Sequence, residues 1–276
     1  MRYRDVSVFL GIAFALPWLL WVVEQVTGVR ILFFAAMLSV AVATWVAVRW
    51  VWRPSDVRTA TALVPVRPAG RLVRWCLLAA GLFVAMGALA LVANALTGVP
   101  PADLSLLSAG SALSALGPAL ARFVLILPLA FCEEWGWRGY LLTRLRDRMG
   151  TWPALIVVGV ICGIWHLPFY LGPWFSTSAD ARQSFLPFVI YVVLFGVVLG
   201  LLRLGHGSIW PAVVAHAVNN TIVFGYLDVL VMDPGRRINP WLAALSGWQG
   251  WLILLIAIAV LWRTSHSSMI GDRKVW

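Results

Sequence analysis

Long apolar segments recur along the whole chain and constrain its fold more than any other feature. Eight of them approach the roughly 20 apolar residues that a transmembrane helix needs: 6–23, 31–52, 75–97, 117–142, 152–171, 185–203, 208–230 and 248–262. Charged residues make up only 12% of the chain, against about 25% in an ordinary globular domain. We therefore predict an all-α, polytopic transmembrane bundle of about eight spans, with a polar cavity in the membrane.

Basic residues are distributed unevenly between the two sides of this bundle. With the N-terminus inside, fifteen Arg and Lys residues fall on one side and four on the other, namely Arg30, Arg182, Arg236 and Arg237. Loops rich in Arg and Lys stay in the cytoplasm. The distribution predicts a multi-pass protein of the cell membrane with both termini cytoplasmic. No basic groove or nucleic-acid-binding motif accompanies the net charge of +10, so we predict no nucleic-acid partner.

We expect residues 1–276 to form a single integral membrane domain. No internal repeat of the kind that builds many transporters is visible. The segment 53–74 is basic and rich in proline, which predicts a cytoplasmic linker without a long helix. The stretch 98–116 lacks Lys and Arg and is predicted to be an external loop or a short interfacial helix. The three cysteines show no metal-ligand spacing and are predicted to be buried free thiols.

Two adjacent carboxylates, Glu133 and Glu134, interrupt the fourth apolar segment, although the chain has only 11 acidic residues. Ionisable side chains at membrane depth are costly and usually face a cavity. Arg138 lies four residues after Glu134, in the order that favours an ion pair on a helix. We therefore predict a Glu134–Arg138 pair, which leaves Glu133 available as a general base. The alternative is a cytoplasmic helix end with an ordinary salt bridge.

Polar residues on later segments are candidates to complete a site with these carboxylates. His166 lies in the fifth segment, and His216 and Asn220 are four residues apart, so they share one face of a helix. Such side chains can join helices through hydrogen bonds, or they can donate to a developing oxyanion. The residues alone leave both roles open. Asn219 is predicted to point off this face and to serve in packing.

Four other polar residues lack a motif. His206 and His266 lie in loop or tail contexts and are predicted to be solvated. Arg122 and Asp228 lie near the ends of spans and are predicted to be polar residues of the bundle or its interface, with Asp228 as a candidate to line a cavity.

The order of the motifs resembles the intramembrane CAAX-protease and bacteriocin-processing (CPBP) family. The shared pattern is Glu-Glu-x-x-x-Arg, a histidine on the next span and His-x-x-x-Asn two spans later, and it covers about residues 117–230. The resemblance implies an endopeptidase like the type II CAAX prenyl endopeptidases, with its protease core at 117–230. The active site would be a cavity within an eight-helix bundle.

The resemblance also implies a role for each residue of the pattern. The implied catalytic residues are Glu133, His166, His216 and Asn220, and the implied supporting residues are Glu134 and Arg138. Glu133 would act as general base, His166 would orient or polarise the water, and His216 with Asn220 would stabilise the tetrahedral oxyanion. One position departs from the family: Cys162 stands four residues before His166, where a Phe is usual. This difference affects the fit of the substrate more than the chemistry.

The role of a metal stays open at this point. Family descriptions use the word metalloprotease, and the ligands of a zinc ion would be Glu133, His166 and His216. The His-Glu-x-x-His spacing that places two zinc ligands on one helix is absent. We therefore favour a glutamate-activated water with no cofactor, with zinc as the alternative.

The resemblance implies a peptide or protein substrate, either prenylated or a small bacteriocin-like peptide, that enters a cavity within the lipid bilayer. The competing hypothesis is a non-enzymatic or proton-coupled membrane protein, such as a transporter or a bacteriocin-immunity factor, that uses the same polar cluster as a relay. A degenerate family member acting as a structural partner is a third hypothesis. All the polar residues of the pattern remain, so degeneracy is not indicated.

Overall fold

The computed structural model describes residues 4–64, 68–97, 109–171, 179–222, 241–242 and 244–272. Within these ranges every regular element is helical. In chain order the elements are α1 (Arg4–Thr27), α2 (Ile31–Val46) with a π-helical continuation (Ala47–Trp52), α3 (Val57–Ala60), α4 (Ala69–Thr97), α5 (Ala109–Glu134) with a π-helical continuation (Trp135–Leu141), α6 (Leu142–Met149), α7 (Thr151–Trp165), α8 (Leu167–Leu171), α9 (Ala179–His206), α10 (Trp210–Val218), a 3₁₀ turn (Ala244–Ser246) and α11 (Trp248–Asp272).

Among the described residues, five helical stretches are long and apolar enough to cross a membrane. They are Arg4–Thr27, Ile31–Trp52, Ala69–Thr97, Leu116–Met149 and Ser184–His206. Two shorter apolar helices, Thr151–Trp165 and Trp248–Thr264, add to the bundle. A helix satisfies its own backbone hydrogen bonds, which is what a chain within lipid requires. The predicted all-α, polytopic membrane bundle is confirmed.

One of the eight predicted segments is broken in the structure, and another is only partly described. The segment 152–171 is broken, because α7 ends at Trp165 and α8 begins at Leu167. Pro168 accounts for the break, since it has no backbone N–H and its ring excludes a helical carbonyl four residues earlier. In the segment 208–230, helix α10 begins at Trp210, and residues 223–230, with Asp228, lie outside the described residues.

The linker predicted at 53–74 contains one short helix. Asp56 directly precedes α3 as its N-cap residue. Its side chain accepts hydrogen bonds from the backbone N–H groups of Arg58 and Thr59, as N-cap side chains do. Helix α4 then starts at Ala69, six residues before the predicted span. In the stretch 98–116, residues 98–108 lie outside the described residues and α5 begins at Ala109.

Small residues bring α7 and α9 into close contact. A Cβ atom on Gly159 would lie 2.8 Å from the Cα of Val193, and one on Gly163 would lie 3.0 Å from Cγ1 of Val189. Glycine at these positions lets the two backbones approach, which is typical of helix pairs in membranes. The contact fixes the end of α7, where His166 follows, against α9.

Residues 61–63, just after α3, contact the start of α10 and the π-helical segment after α5. The carbonyl of Ala62 accepts hydrogen bonds from the Ile209 N–H at 3.0 Å and the Ser208 hydroxyl at 3.1 Å. The Trp210 indole donates to the Leu63 carbonyl at 3.0 Å. The Trp135 indole donates to the Thr61 hydroxyl at 3.0 Å. This loop therefore sets where α10 begins.

A buried carboxylate joins the first helix to the region after α5. Asp5 accepts hydrogen bonds from the Tyr140 hydroxyl at 3.1 Å and from Nε of Arg144 at 2.6 Å, and Arg148 lies 3.6 Å away. The Arg144 guanidinium also lies over the ring of Trp52, 4.6 Å from its centroid. Arg144 and Arg148 thus link α6 to α1.

The prediction for His206 is wrong. Its side chain is 2% exposed, and its ring lies 5.8 Å from that of Trp75. The sequence placed it just after an apolar span, but α9 extends to include it and α4 covers it. The side chain of His266 lies outside the described residues. The three cysteines are free thiols, as predicted; Cys162 is buried, whereas Cys76 and Cys132 are half-buried.

Candidate active site

The carboxylate of Glu134 joins two basic side chains. Its Oε1 lies 2.8 Å from an Nη of Arg138 and 2.8 Å from Nδ1 of His216. Glu134 is fully buried, and Arg138 and His216 are 2% and 7% exposed. The predicted Glu134–Arg138 pair is present. The contact with His216 was not predicted, and it connects α5 to α10.

The helix that carries these carboxylates changes geometry directly after Glu134. Residues Trp135–Leu141 form a π-helical segment, which contains Arg138. Two glycines in it allow neighbours to approach: a Cβ atom on Gly139 would lie 2.7 Å from the Thr61 carbonyl oxygen, and one on Gly136 would lie 3.0 Å from Thr44 Oγ1. Single π-helical turns within α-helices are frequent at functional sites.

A cavity of about 870 Å³ lies beside this segment, and Glu133 lines it. Glu134, one residue later, is not among the lining residues. Within the described residues Glu133 forms no salt bridge. The polar side chains around the cavity are those of Arg122, Glu133, Arg138, His166, Tyr170, Ser184, Tyr191, His216, Asn219, Asn220 and Ser246. The two adjacent carboxylates therefore face different surroundings.

Both histidines of the pattern line this cavity, and each has one ring nitrogen in a defined hydrogen bond. Nδ1 of His166 lies 2.8 Å from the carbonyl oxygen of Cys162. A carbonyl only accepts, so Nδ1 carries the proton and Nε2 is the accepting nitrogen of the neutral ring. Nδ1 of His216 donates in the same way to Glu134. In His216 the other ring nitrogen, Nε2, is not engaged by Glu134.

Asn220 follows the end of α10 and lines the cavity together with His216, and its neighbour Asn219 also lines it. Asn219 was predicted to point off the His216–Asn220 face and to serve in packing; in the structure it is buried and also lines the cavity. Residues 219–222 form a further π-helical turn, which changes the direction of side chains relative to an α-helix. The Tyr191 hydroxyl donates to Oδ1 of Asn219 at 2.9 Å, and Nδ2 of Asn219 donates to Oδ1 of Asn220 at 3.1 Å.

Apolar and aromatic side chains form the rest of the cavity wall. They are Phe33, Phe34, Met37, Ile126, Trp137, Trp165, Pro187, Phe188, Val192 and Phe195, together with Cys162. Cys162, four residues before His166, is part of this wall. Arg122, which had no motif around it, lines the cavity eleven residues before Glu133 on α5.

Sequence reasoning missed Tyr191 and Asn219 as members of the site. A hydroxyl deep in an apolar span needs a hydrogen-bond partner, so Tyr191 in the sixth apolar segment was the available signal. Which residue it would meet depends on the packing of α9 against α10, and the sequence contains no direct sign of that.

The described residues do not fit a metal site. No group of three His, Cys, Asp or Glu side chains in this part of the chain is arranged to hold a metal ion. Glu133, His166 and His216 line one cavity without forming such a group. We therefore derive no step through a metal.

Comparison with known proteins identifies the segment that contains this site. Residues 115–222 match the family model described as type II CAAX prenyl endopeptidase Rce1-like. All six residues of the Glu-Glu-x-x-x-Arg, His and His-x-x-x-Asn pattern lie inside the match. A search of curated proteins found no match to the chain. The chain is thus a multi-pass membrane protein whose site-bearing segment, residues 115–222, is similar to the Rce1-like type II CAAX prenyl endopeptidases.

Proposed function

We propose that this chain is an intramembrane endopeptidase that hydrolyses peptide bonds with a water activated by Glu133. One observation carries the proposal: Glu133 lines the cavity without a salt bridge among the described residues, while Glu134 does not line it and is paired with Arg138 and His216. A general base has to reach its water and keep its lone pairs available. A carboxylate in a buried ion pair meets neither condition.

The chemistry follows from these surroundings. Glu133 takes a proton from water as the water oxygen bonds to the peptide carbonyl carbon, and the carbonyl oxygen becomes an oxyanion. When the tetrahedral intermediate collapses, the C–N bond breaks and the leaving amine takes the proton from Glu133. The products are one new carboxyl terminus and one new amino terminus. His166 accepts a hydrogen bond from the water through Nε2, because its Nδ1 proton is held by the Cys162 carbonyl.

His216 and Asn220 stabilise the oxyanion in this proposal. The Nδ1 proton of His216 is directed to Glu134, so His216 can donate to the oxyanion only through a proton on Nε2, that is, as an imidazolium. The Glu134 carboxylate supplies the counter-charge. Glu134 and Arg138 are thus supporting residues that orient His216, much as an outer carboxylate orients histidine in other active sites.

We propose a peptide or protein substrate that enters the cavity from the bilayer. The aromatic and aliphatic wall supports an apolar substrate segment, since such walls bury apolar groups while a few polar groups fix orientation. A prenylated peptide and a small bacteriocin-like peptide both satisfy this description.

We place the chain in the cell membrane with both termini cytoplasmic, because fifteen basic residues fall on one side of the predicted bundle and four on the other. We take residues 1–276 as one membrane domain with its protease core at 117–230 and its basic linker at 53–74.

Membrane-peptide profiling tests the proposal. Cells carrying the wild type, Glu133→Gln or His216→Ala are compared by mass spectrometry of membrane peptides. Matched controls are Glu24→Gln and His206→Ala, because Glu24 and His206 are each 2% exposed and lie outside the cavity. We expect the same cleaved peptides to disappear in both site variants and to persist in both controls. Profiles identical in all five strains would overturn the proposal.

The zinc alternative is tested separately on the purified chain. Cleavage is measured in a strong chelator and again after zinc is added back. The proposal expects the same rate in both conditions. A rate that falls in chelator and returns with zinc would replace the metal-free mechanism with a metal-dependent one.

A further inference from the structure

The amide of Asn220 is held by a short chain of hydrogen bonds that the family pattern does not include. The chain begins at the Tyr191 hydroxyl on α9, passes through the Asn219 amide and ends at Oδ1 of Asn220, with distances of 2.9 and 3.1 Å. Tyr191 and Asn219 are 2% and 1% exposed, and all three side chains line the cavity.

The direction of this chain decides which end of the Asn220 amide is available. An asparagine side chain has an oxygen that accepts and a nitrogen that donates two hydrogen bonds. Asn219 accepts from the Tyr191 hydroxyl through Oδ1, and this orientation of its amide turns Nδ2 toward the oxygen of Asn220. The Asn220 oxygen is therefore held by Asn219, and its N–H groups are the end left for a ligand in the cavity.

Resting on the proposed function, we infer that Tyr191 and Asn219 are positioning residues that keep Asn220 oriented as an oxyanion donor. A preorganised donor stabilises a transition state because it needs no reorientation when charge develops. If the Asn220 amide could turn freely, its oxygen would face the oxyanion part of the time. The partial negative charge of the amide oxygen would then repel the negative charge of the oxyanion. The chain of hydrogen bonds prevents that orientation.

The packing around Tyr191 makes a mild substitution available. Its ring stacks on Phe195 with centroids 5.6 Å apart and an interplanar angle of 18°. Phe195 in turn contacts the ring of His216 at 5.4 Å. Tyr191→Phe keeps these ring contacts and removes the oxygen that donates to Asn219. Asn219→Leu is a second variant of similar size that removes both hydrogen bonds.

The test uses the purified full-length chain in phospholipid liposomes. One probe is a quenched fluorescent peptide that ends in a farnesylated Cys-aliphatic-aliphatic-X sequence. The other is the membrane proteome of cells lacking the chain, from which any cleaved sequence is then made as a quenched peptide. We expect Tyr191→Phe to lower kcat about tenfold, the effect of one hydrogen bond of ordinary strength, with KM unchanged. Asn219→Leu should lower kcat at least as much.

A double-mutant cycle separates positioning from general stability. Asn220→Ala should lower kcat by about 10²–10³-fold, as loss of one oxyanion donor does. Tyr191→Phe added to Asn220→Ala should cause no further loss, because Tyr191 acts through Asn220. An equal further loss in that background, or a wild-type kcat for Tyr191→Phe, would overturn the inference. If Glu133→Gln cleaves both probes as fast as the wild type, the proposed function itself fails.

Discussion

Nδ1 of His216 lies 2.8 Å from Oε1 of Glu134, across 82 residues of sequence. This hydrogen bond joins α10 to the end of α5 at the point where the π-helical segment begins. It gives the second glutamate of the pair a defined task, which is to hold and charge-balance a histidine that borders the cavity. The first glutamate is left facing the cavity.

Glu134→Gln should lower both the stability of the fold and the cleavage rate. The substitution leaves the buried Arg138 without its counter-charge, and breaking one side of a buried ion pair costs about 3–5 kcal/mol. It also removes the acceptor that orients His216. We expect the cleavage rate to fall by about 10–100-fold, the range for replacing a carboxylate that orients a metal-bound histidine. Thermal unfolding in detergent and the cleavage rate of folded protein measure the two effects. Glu24→Gln is the control, because its partner Arg30 is largely exposed. Wild-type stability in Glu134→Gln would contradict the buried pair.

Glu133→Gln should separate activity from stability. It removes the proposed general base, and general-base catalysis accelerates a reaction by about 10²–10⁴-fold. We therefore expect the cleavage rate to fall by a factor in that range or by more. The substitution replaces a buried carboxylate that has no salt bridge among the described residues with a neutral amide of the same shape. We therefore expect the melting temperature to stay the same or to rise. A drop in melting temperature as large as that of Glu134→Gln would show that Glu133 has a structural role.

Gly159→Ala should destabilise the bundle. The added Cβ would lie 2.8 Å from Cα and 3.2 Å from the carbonyl oxygen of Val193, so one backbone has to move. Overpacking of this kind costs about 1–3 kcal/mol. Gly81→Ala on α4 is the matched control, because nothing lies within 4 Å of its added Cβ. Equal melting temperatures for the two variants would contradict the close contact of α7 and α9.

Asp5→Asn should loosen the contact between α1 and the region after α5. The carboxylate is 6% exposed and accepts hydrogen bonds from Tyr140 and Arg144. Hydrogen bonds to charged groups contribute about 1.5–3 kcal/mol, so we expect a loss of stability in that range. Asp147→Asn, at an exposed position on α6, provides the comparison. The account of this cluster would be wrong if both variants melted at the wild-type temperature.

Local spacing predicted part of the site and could not predict the rest. The Glu134–Arg138 pair was predictable because residues four apart on a helix are neighbours whatever the rest of the chain does. The Glu134–His216 bond depends on how α10 packs against α5, and no local pattern encodes that. The sequence interpretation did not connect His216 with Glu134, whereas in the structure Nδ1 of His216 is hydrogen-bonded to that carboxylate.

Departures from regular α-helix explain the other differences. Asn219 was placed off the site face by assuming α-helical geometry, but a π-helical turn begins at that residue. His206 was taken for a loop residue because charged and glycine residues surround it, yet α4 contacts it through Trp75. The all-α membrane class was predictable because it follows from apolar length alone, which no packing detail can alter.

Hydrolysis in water enriched in ¹⁸O tests the central claim most directly. Purified wild type, Glu133→Gln and Glu24→Gln in liposomes are each incubated with the membrane proteome of cells lacking the chain. The new carboxyl termini are then analysed by mass spectrometry. We predict that the wild type and Glu24→Gln generate the same new termini, each carrying one ¹⁸O atom, and that Glu133→Gln generates none. The same labelled termini formed by Glu133→Gln at the wild-type rate would contradict the assignment of Glu133 as the base that activates water.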